Sequence, residues 1–246
     1  MKILNIPLKA RLGHFKTNYT TASKLSYDIP TFTAIEGIIG SIMGWCRADY
    51  IKKIKRDQAK LGIIIDSPMQ KTVMGINVPN ELVTPSKRWE SNKDGVKIVG
   101  VGQRTQSYTE LLIEPAYTLL FSHEDNEIYD AIKERVLNLK STYNIYFGSA
   151  FCIAEYAGTP TEFDASKEHV TKAKVISVLD AHRVKDDIDW DSPIKMITDN
   201  IPYKKDNDMT LCRMVQVLYN PMAEPIICSG EFYRYQNDEY IYLFEG

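Results

Sequence analysis

The sequence is poor in histidine and cysteine, with four of each among 246 residues. Cys46, Cys152, Cys212 and Cys228 stand far apart, and none sits at metal-ligand spacing from another or from a histidine. That argues against a zinc module and for buried, reduced thiols. Neither a metal nor a cofactor is expected. No stretch approaches the roughly 18 uninterrupted apolar residues of a membrane span, so no membrane partner is expected. The opening MKILNIPLKARLG lacks a long apolar core and a small-residue cleavage site. It reads as a first strand, and a cytoplasmic protein is expected. Internal repeats and low-complexity tracts are missing too, which excludes a solenoid.

What is present is an uneven charge. Residues 1–110 carry 17 Lys and Arg against 9 Asp and Glu, a balance of +8; residues 111–246 carry 13 against 23, a balance of −10. A basic half joined to an acidic half suggests a polyanion on one side and a different partner on the other. The acidic stretch KDDIDWDSP (185–193) reads as a solvated loop, with a partner surface as the alternative.

Periodicity gives an order of elements. Residues 2–9 alternate as a strand, and 10–30 form a polar loop with Arg11, His14, Lys16 and Lys24. A helix is expected from Thr33, capped by a Thr33/Glu36 box, to about Lys60, before Gly62. Short strands are expected at 61–67 and 71–77. Residues 78–107 hold Pro79, Pro85 and the turn former Asn92-Lys93-Asp94-Gly95, and read as an inserted hairpin. Residues 108–122 are strand-like with a break at Pro115. Residues 124–140 place Ile128, Ile132, Val136 and Leu139 at helical spacing, and 144–156 ends in a strand. Further strands are expected at 171–180, 211–219, 225–235 and 239–244, with a loop at 200–208. The order fits an α+β fold: a ferredoxin-like domain over 1–157, with the insertion, and a small, mostly β subdomain over 158–246.

The helix carries Gly37, Gly40, Ser41 and Gly44 at i, i+3, i+4 and i+7, on one face. Each glycine costs a helix about 0.8–1 kcal/mol relative to alanine, so the bare face must admit a close neighbour. Two neighbours fit: the protein's own sheet, which we take first, and an RNA backbone near the exposed N-terminal turn.

The basic N-terminal loop, YDIPTFTAIEGIIGSIMGW (27–45), and the later LLIEPAYTLLF and YFGSAFCIAEY resemble the Cas five family of CRISPR-associated proteins. That family belongs to the RAMP superfamily of ferredoxin-like (RRM/RAMP) RNA binders. The resemblance covers the first two thirds of the chain. It implies a subunit of a type I Cascade surveillance complex in antiviral defence, holding the 5′ handle of the crRNA. Its partners would be the crRNA, the Cascade backbone subunit and the large subunit, and through the latter, indirectly, target DNA. In this reading 78–107 is a β-hairpin thumb. Lys87, Arg88, Lys93, Lys97 and Arg104 would face RNA phosphates, and Trp89 would stack on a base or pack on the neighbouring subunit. Arg11, His14 and Lys16 would line the handle pocket beside Gly37 and Gly40, with Arg47 as a further RNA contact.

One branch of that family cleaves the CRISPR transcript, pairing a tyrosine near the first helix with an adjacent lysine–histidine pair. Tyr50 fits the tyrosine position. No histidine occurs between His14 and His123, and the nearest basic pair read for that position is Lys87-Arg88. Arginine stays protonated and is a poor base. No catalytic residues are therefore expected. Two alternatives remain open: a metal-independent repeat endoribonuclease, with His14 and Lys16 as its basic groups, and a ferredoxin-like small-molecule enzyme unrelated to RNA.

Overall fold

Strand Lys2–Ala10 alternates buried and open positions, with Leu4, Ile6 and Leu8 fully enclosed. It lies at the centre of an antiparallel sheet. The order across the sheet is Ile145–Tyr146, Ile153–Tyr156, Lys2–Ala10, Ala116–His123, Ala59–Ile65. The first strand shares one edge between two partners: Ile153–Tyr156 pairs with its C-terminal end and Thr161–Asp164 with its N-terminal half. The computed structural model describes residues 1–20, 24–55, 57–79, 89–92, 95–98, 104–184, 188, 195–205 and 211–245; at 78–79, 89–92, 95–98, 104–105, 205 and 211–212 only the backbone is described.

Three helices pack around this sheet: α1 (Phe32–Met43), α2 (Arg47–Lys53) and α3 (Asn126–Leu137). Ile35, Ile39 and Ile42 of α1 and Ile132 and Val136 of α3 share a core with Leu4, Ile6 and Leu8. Each such side chain contributes about 1.5–3 kcal/mol through burial. The far face packs Ile3, Ile64 and Leu120 against Tyr233, Ile241 and Leu243 from the end of the chain. No helix among the described residues is long and apolar enough to cross a membrane.

Two features of the first helix differ from expectation. Thr31, not Thr33, caps it, its Oγ1 accepting from the Ala34 amide at 3.2 Å. The helix stops at Gly44 instead of running on to Lys60. Gly44 takes φ +75°, a left-handed conformation suited to glycine, and its amide donates to the Gly40 carbonyl. A Cβ there would stand 2.8 Å from the Thr142 side chain. Gly44 therefore belongs to the cap and not to the bare face.

The break expected at Pro115 is a turn between two sheets: Glu114, at φ 47°, joins Arg104–Ile113, which pairs with Lys71–Pro79, to Ala116–His123 of the central sheet. The insertion rises from a long ladder: Lys71–Pro79 pairs with Arg104–Ile113, from Lys71↔Leu112 to Pro79↔Arg104. Within it Trp89–Asn92 pairs with Gly95–Ile98. The loop expected at 200–208 is a correction, since Ile197–Lys205 is a strand paired with Leu211–Tyr219. Ile201 and Tyr203 alternate into the core, a period that the charged Lys204-Lys205 obscured. Most of the acidic stretch 185–193 lies outside the described residues. The C-terminal third packs directly on α1: Phe32 meets the rings of Tyr203 at 5.2 Å and Phe244 at 4.5 Å.

Candidate nucleic-acid interface

A cleft of about 340 Å³ opens along α1. It is lined by Thr33, Ala34, Gly37, Ile38 and Ser41 of α1, Arg47 and Tyr50 of α2, and Tyr146 and Gly148. The glycines explain its shape. The turn at Gly44 folds α2 back over α1 and lays the Tyr50 ring on Gly40, where a Cβ would fall 2.5 Å from Cδ1 and 3.1 Å from Cγ. At Gly37 only the Tyr50 hydroxyl is near, 3.8 Å from the same point. The close neighbour of the bare face is thus a single aromatic ring, neither the sheet nor an RNA backbone. Gly40 is buried beneath it, while Gly37 is half-open on the cleft floor.

Burial raises the pKa of Tyr50, with the neighbouring Arg47 opposing that shift. The phenol is therefore a neutral donor near pH 7. Arg47 is exposed on the rim. A guanidinium, a phenol and an open stretch of helix on one wall make a surface suited to a phosphate-bearing, partly apolar ligand.

The opposite wall is the loop after α3. Phe147 accepts from the His14 amide at 2.9 Å. Gly148 has φ +83°, and a Cβ there would overlap the His14 carbonyl oxygen. Only glycine lets this loop lie flat on the chain at residues 14–15. His14 itself is 4% exposed, with Nδ1 2.8 Å from the Glu110 carbonyl oxygen. Burial lowers its pKa, the Glu110 carbonyl counteracts this, and Lys24 and Lys16 add to the lowering. The imidazole is therefore a neutral prop behind the wall, donating Nδ1–H to Glu110.

Of the residues the sequence singled out, Gly37 and Arg47 line the cleft. Gly40 and His14 are buried supports, each filled over by the contacts just described. Arg11 and Lys16 are exposed on the adjoining loop but do not line it. Lys87, Arg88 and Lys93 lie outside the described residues. Trp89, Lys97 and Arg104 are in described strands, but their side chains are not described. Sequence reasoning missed Tyr146 and Gly148. The signal for the latter was the lone glycine of YFGSAFC, read only as part of an apolar segment.

No histidine among the described residues lines the cleft. His123 is buried, with Nδ1 accepting from the Asp125 amide at 2.9 Å and Nε2 3.0 Å from the Lys53 carbonyl oxygen. Among the described residues no three His, Cys, Asp or Glu side chains gather to hold a metal. A second hollow, of about 260 Å³, lies in the C-terminal region. Its charges are largely self-neutralised, Lys167 with Glu231 at 2.8 Å and Glu245 with Lys60 at 2.7 Å, so it suits a polyanion poorly.

The model of the family described as CRISPR-associated protein (Cas_Cas5) matches residues 3–222. No curated protein matches the chain. Among solved structures, a chain of a "CRISPR RNA-guided surveillance complex" is 12% identical, with 92% of this chain and 91% of that one covered and a TM-score of 0.50. A CRISPR protein from Archaeoglobus fulgidus is 9% identical, with both chains covered in full and a TM-score of 0.54. At such identities the likeness is one of fold.

Proposed function

We propose, because the chain belongs to the CRISPR-associated Cas five family, that it is a crRNA-binding subunit of a type I Cascade complex. It holds the repeat-derived 5′ handle at the α1 cleft and does not cut it. The observation that carries this reading is the cleft itself, with exposed Arg47 and neutral Tyr50 over the half-open Gly37, on the basic half of the chain. The sheet supports a ferredoxin-like assignment. Its strands run in the order fourth, first, third, second of a β-α-β-β-α-β unit, with α1 after the first strand and α3 after the third. The ladder Lys71–Pro79/Arg104–Ile113 then serves as the stalk of a thumb that meets the backbone subunit. The acidic C-terminal third is left for the large subunit.

Filter binding of the purified protein to repeat RNA across a salt series tests the reading. Salt-dependent binding is expected, with the RNA recovered intact in EDTA. One observation favours a second reading, that of a repeat endoribonuclease: Tyr50 stands in the cleft. Specific cuts in EDTA would replace holding by cleavage. Absence of salt-dependent binding would remove both readings.

A further inference from the structure

Strands Phe15–Lys16 and Ser26–Tyr27 pair antiparallel beside the cleft, and residues 17–20 and 24–25 are the described part of the segment that joins them. Most of that part is braced. Thr17 is 2% exposed, its amide donates to the Leu25 carbonyl at 3.1 Å, and its Oγ1 lies 2.7 Å from that of Thr20. Asn18 accepts from the Tyr27 hydroxyl at 2.8 Å and points Nδ2 at Met214 Sδ, 3.7 Å away. Tyr27 is 1% exposed, and burial pushes its phenol up to about 12, so it remains a neutral donor.

Between these fixed residues sits Tyr19, 66% exposed. Its ring meets that of Tyr27 edge-on, with centroids 6.3 Å apart and planes at 79°. One side of the ring is thus anchored while much of it stays open. An isolated exposed tyrosine is ordinary. One seated on a buried ring and flanked by hydrogen-bonded neighbours has lost part of its freedom before any ligand arrives. Lys16 is exposed three residues before it, and Lys24 follows, tied by its amide to the Tyr108 carbonyl at 3.4 Å. The carboxylates Asp28 and Glu110 are both engaged by Lys71.

We propose that the Tyr19 ring is a stacking platform for one unpaired nucleobase of the bound RNA. The proposal rests on the RNA reading above and adds a subsite outside the cleft. Tyr19 lies five residues beyond His14, whose carbonyl abuts Gly148 on the cleft wall. At about 3.3 Å per extended residue, the platform stands within roughly 17 Å of that wall, a few nucleotides along a single strand. Stacking on an aromatic face tolerates any base, so the platform fixes the path of the strand and not its sequence.

The test is a thermodynamic cycle. Wild-type protein and the variants Tyr19→Ala and Tyr19→Phe bind single-stranded repeat RNA carrying an abasic site at each position in turn. Tyr19→Ala should weaken binding of intact RNA about 5- to 150-fold, with an unchanged salt slope and melting temperature. Tyr19→Phe should bind as wild type does. One abasic position should cost the wild type the same factor and cost Tyr19→Ala nothing further. If Tyr19→Ala binds intact RNA like wild type, the platform is refuted while the RNA reading stands. The same holds if its loss adds to that of every abasic site. If it leaves RNA affinity intact but prevents capture of the neighbouring Cascade subunit, the ring belongs to a protein contact and the proposal falls. Wild-type protein that binds no repeat RNA removes both.

Discussion

The ring of Tyr50 occupies the space that a side chain on Gly40 would need, with Cδ1 2.5 Å and Cβ 3.3 Å from where that Cβ would stand. Gly37, one turn earlier, meets only the tip of the same ring at 3.8 Å. Two alanine substitutions on one helix should therefore have opposite signs. Gly37→Ala gains helix propensity at ordinary contact distance and should stabilise by up to about 1 kcal/mol. Gly40→Ala gains the same propensity but drives the ring off, and should lose about 1–3 kcal/mol net. Gly40→Leu should be worse than Gly40→Ala. Adding Tyr50→Ala should relieve most of the Gly40→Ala loss. Denaturant melts of the four variants decide it; equal effects at 37 and 40 would remove Tyr50 as the cause.

Lys71 fastens the stalk to the N-terminal loop. Its Nζ lies 2.5 Å from Asp28 Oδ1 and 3.2 Å from Glu110 Oε2, and donates to the Ser26 carbonyl at 2.9 Å. The hydroxyls of Tyr219 and Tyr117 also donate to Asp28, to its carboxylate and its carbonyl respectively. Burial alone would lower the ammonium's pKa; hydrogen bonding and charge from Asp28, then Glu110, outweigh it and raise the value. Lys71→Met should cost about 1–3 kcal/mol, because it strands two carboxylates beside buried groups. A lysine with a raised folded pKa contributes fully below its unfolded value near 10.4. That share of stability is lost only as pH rises through the folded value. The variant should therefore melt lower at pH 7, with the gap narrowing above about pH 10.5. A gap that persists unchanged at pH 11.5 would show that packing, not charge, is what was lost.

The sheet and α3 were legible because their signals are local. The alternation in ILNIPLKA and the spacing of Ile132 and Val136 survive folding unchanged. The glycine face was legible as a place of close approach, but its occupant was not. Tyr50 reaches Gly40 only because Gly44 turns the chain, and the sequence pattern continues smoothly through that glycine. The cleft's far wall was hidden for a related reason. Gly148 touches His14 across 134 positions, a contact that no periodicity encodes. The strand Ile197–Lys205 was masked by its own polar and charged residues, since Asp199, Asn200 and Lys204 flank the buried Ile201, Pro202 and Tyr203.

His14 should make the fold acid-sensitive. Its folded pKa is lowered, first by burial, so below about pH 6.5 the unfolded chain binds a proton that the native state refuses. Stability should fall as pH drops from about 7 towards 5 and level off once the folded value is passed. His14→Asn can keep an N–H aimed at the Glu110 carbonyl without titrating. Its melting temperature should depend less on pH over that window than that of wild type. Parallel slopes for the two proteins would assign the acid sensitivity to another group.

Arg47 separates binding from folding. It is exposed on the rim of the cleft, and surface substitutions of this kind shift stability by only about 0.5 kcal/mol. If a phosphate of the handle lies against it, Arg47→Ala removes one ion contact with a single strand. The plot of log affinity against log salt should then become shallower by about 0.7. Lys87→Ala, Arg88→Ala and Lys97→Ala combined should flatten it by about three times as much if all three meet phosphates. Asp49, on the same short helix, supplies the control: Asp49→Asn should leave the slope unchanged or steepen it slightly. An Arg47→Ala protein with wild-type affinity and wild-type slope would mean that the RNA passes elsewhere. Gly37 would then be open for a reason other than the handle.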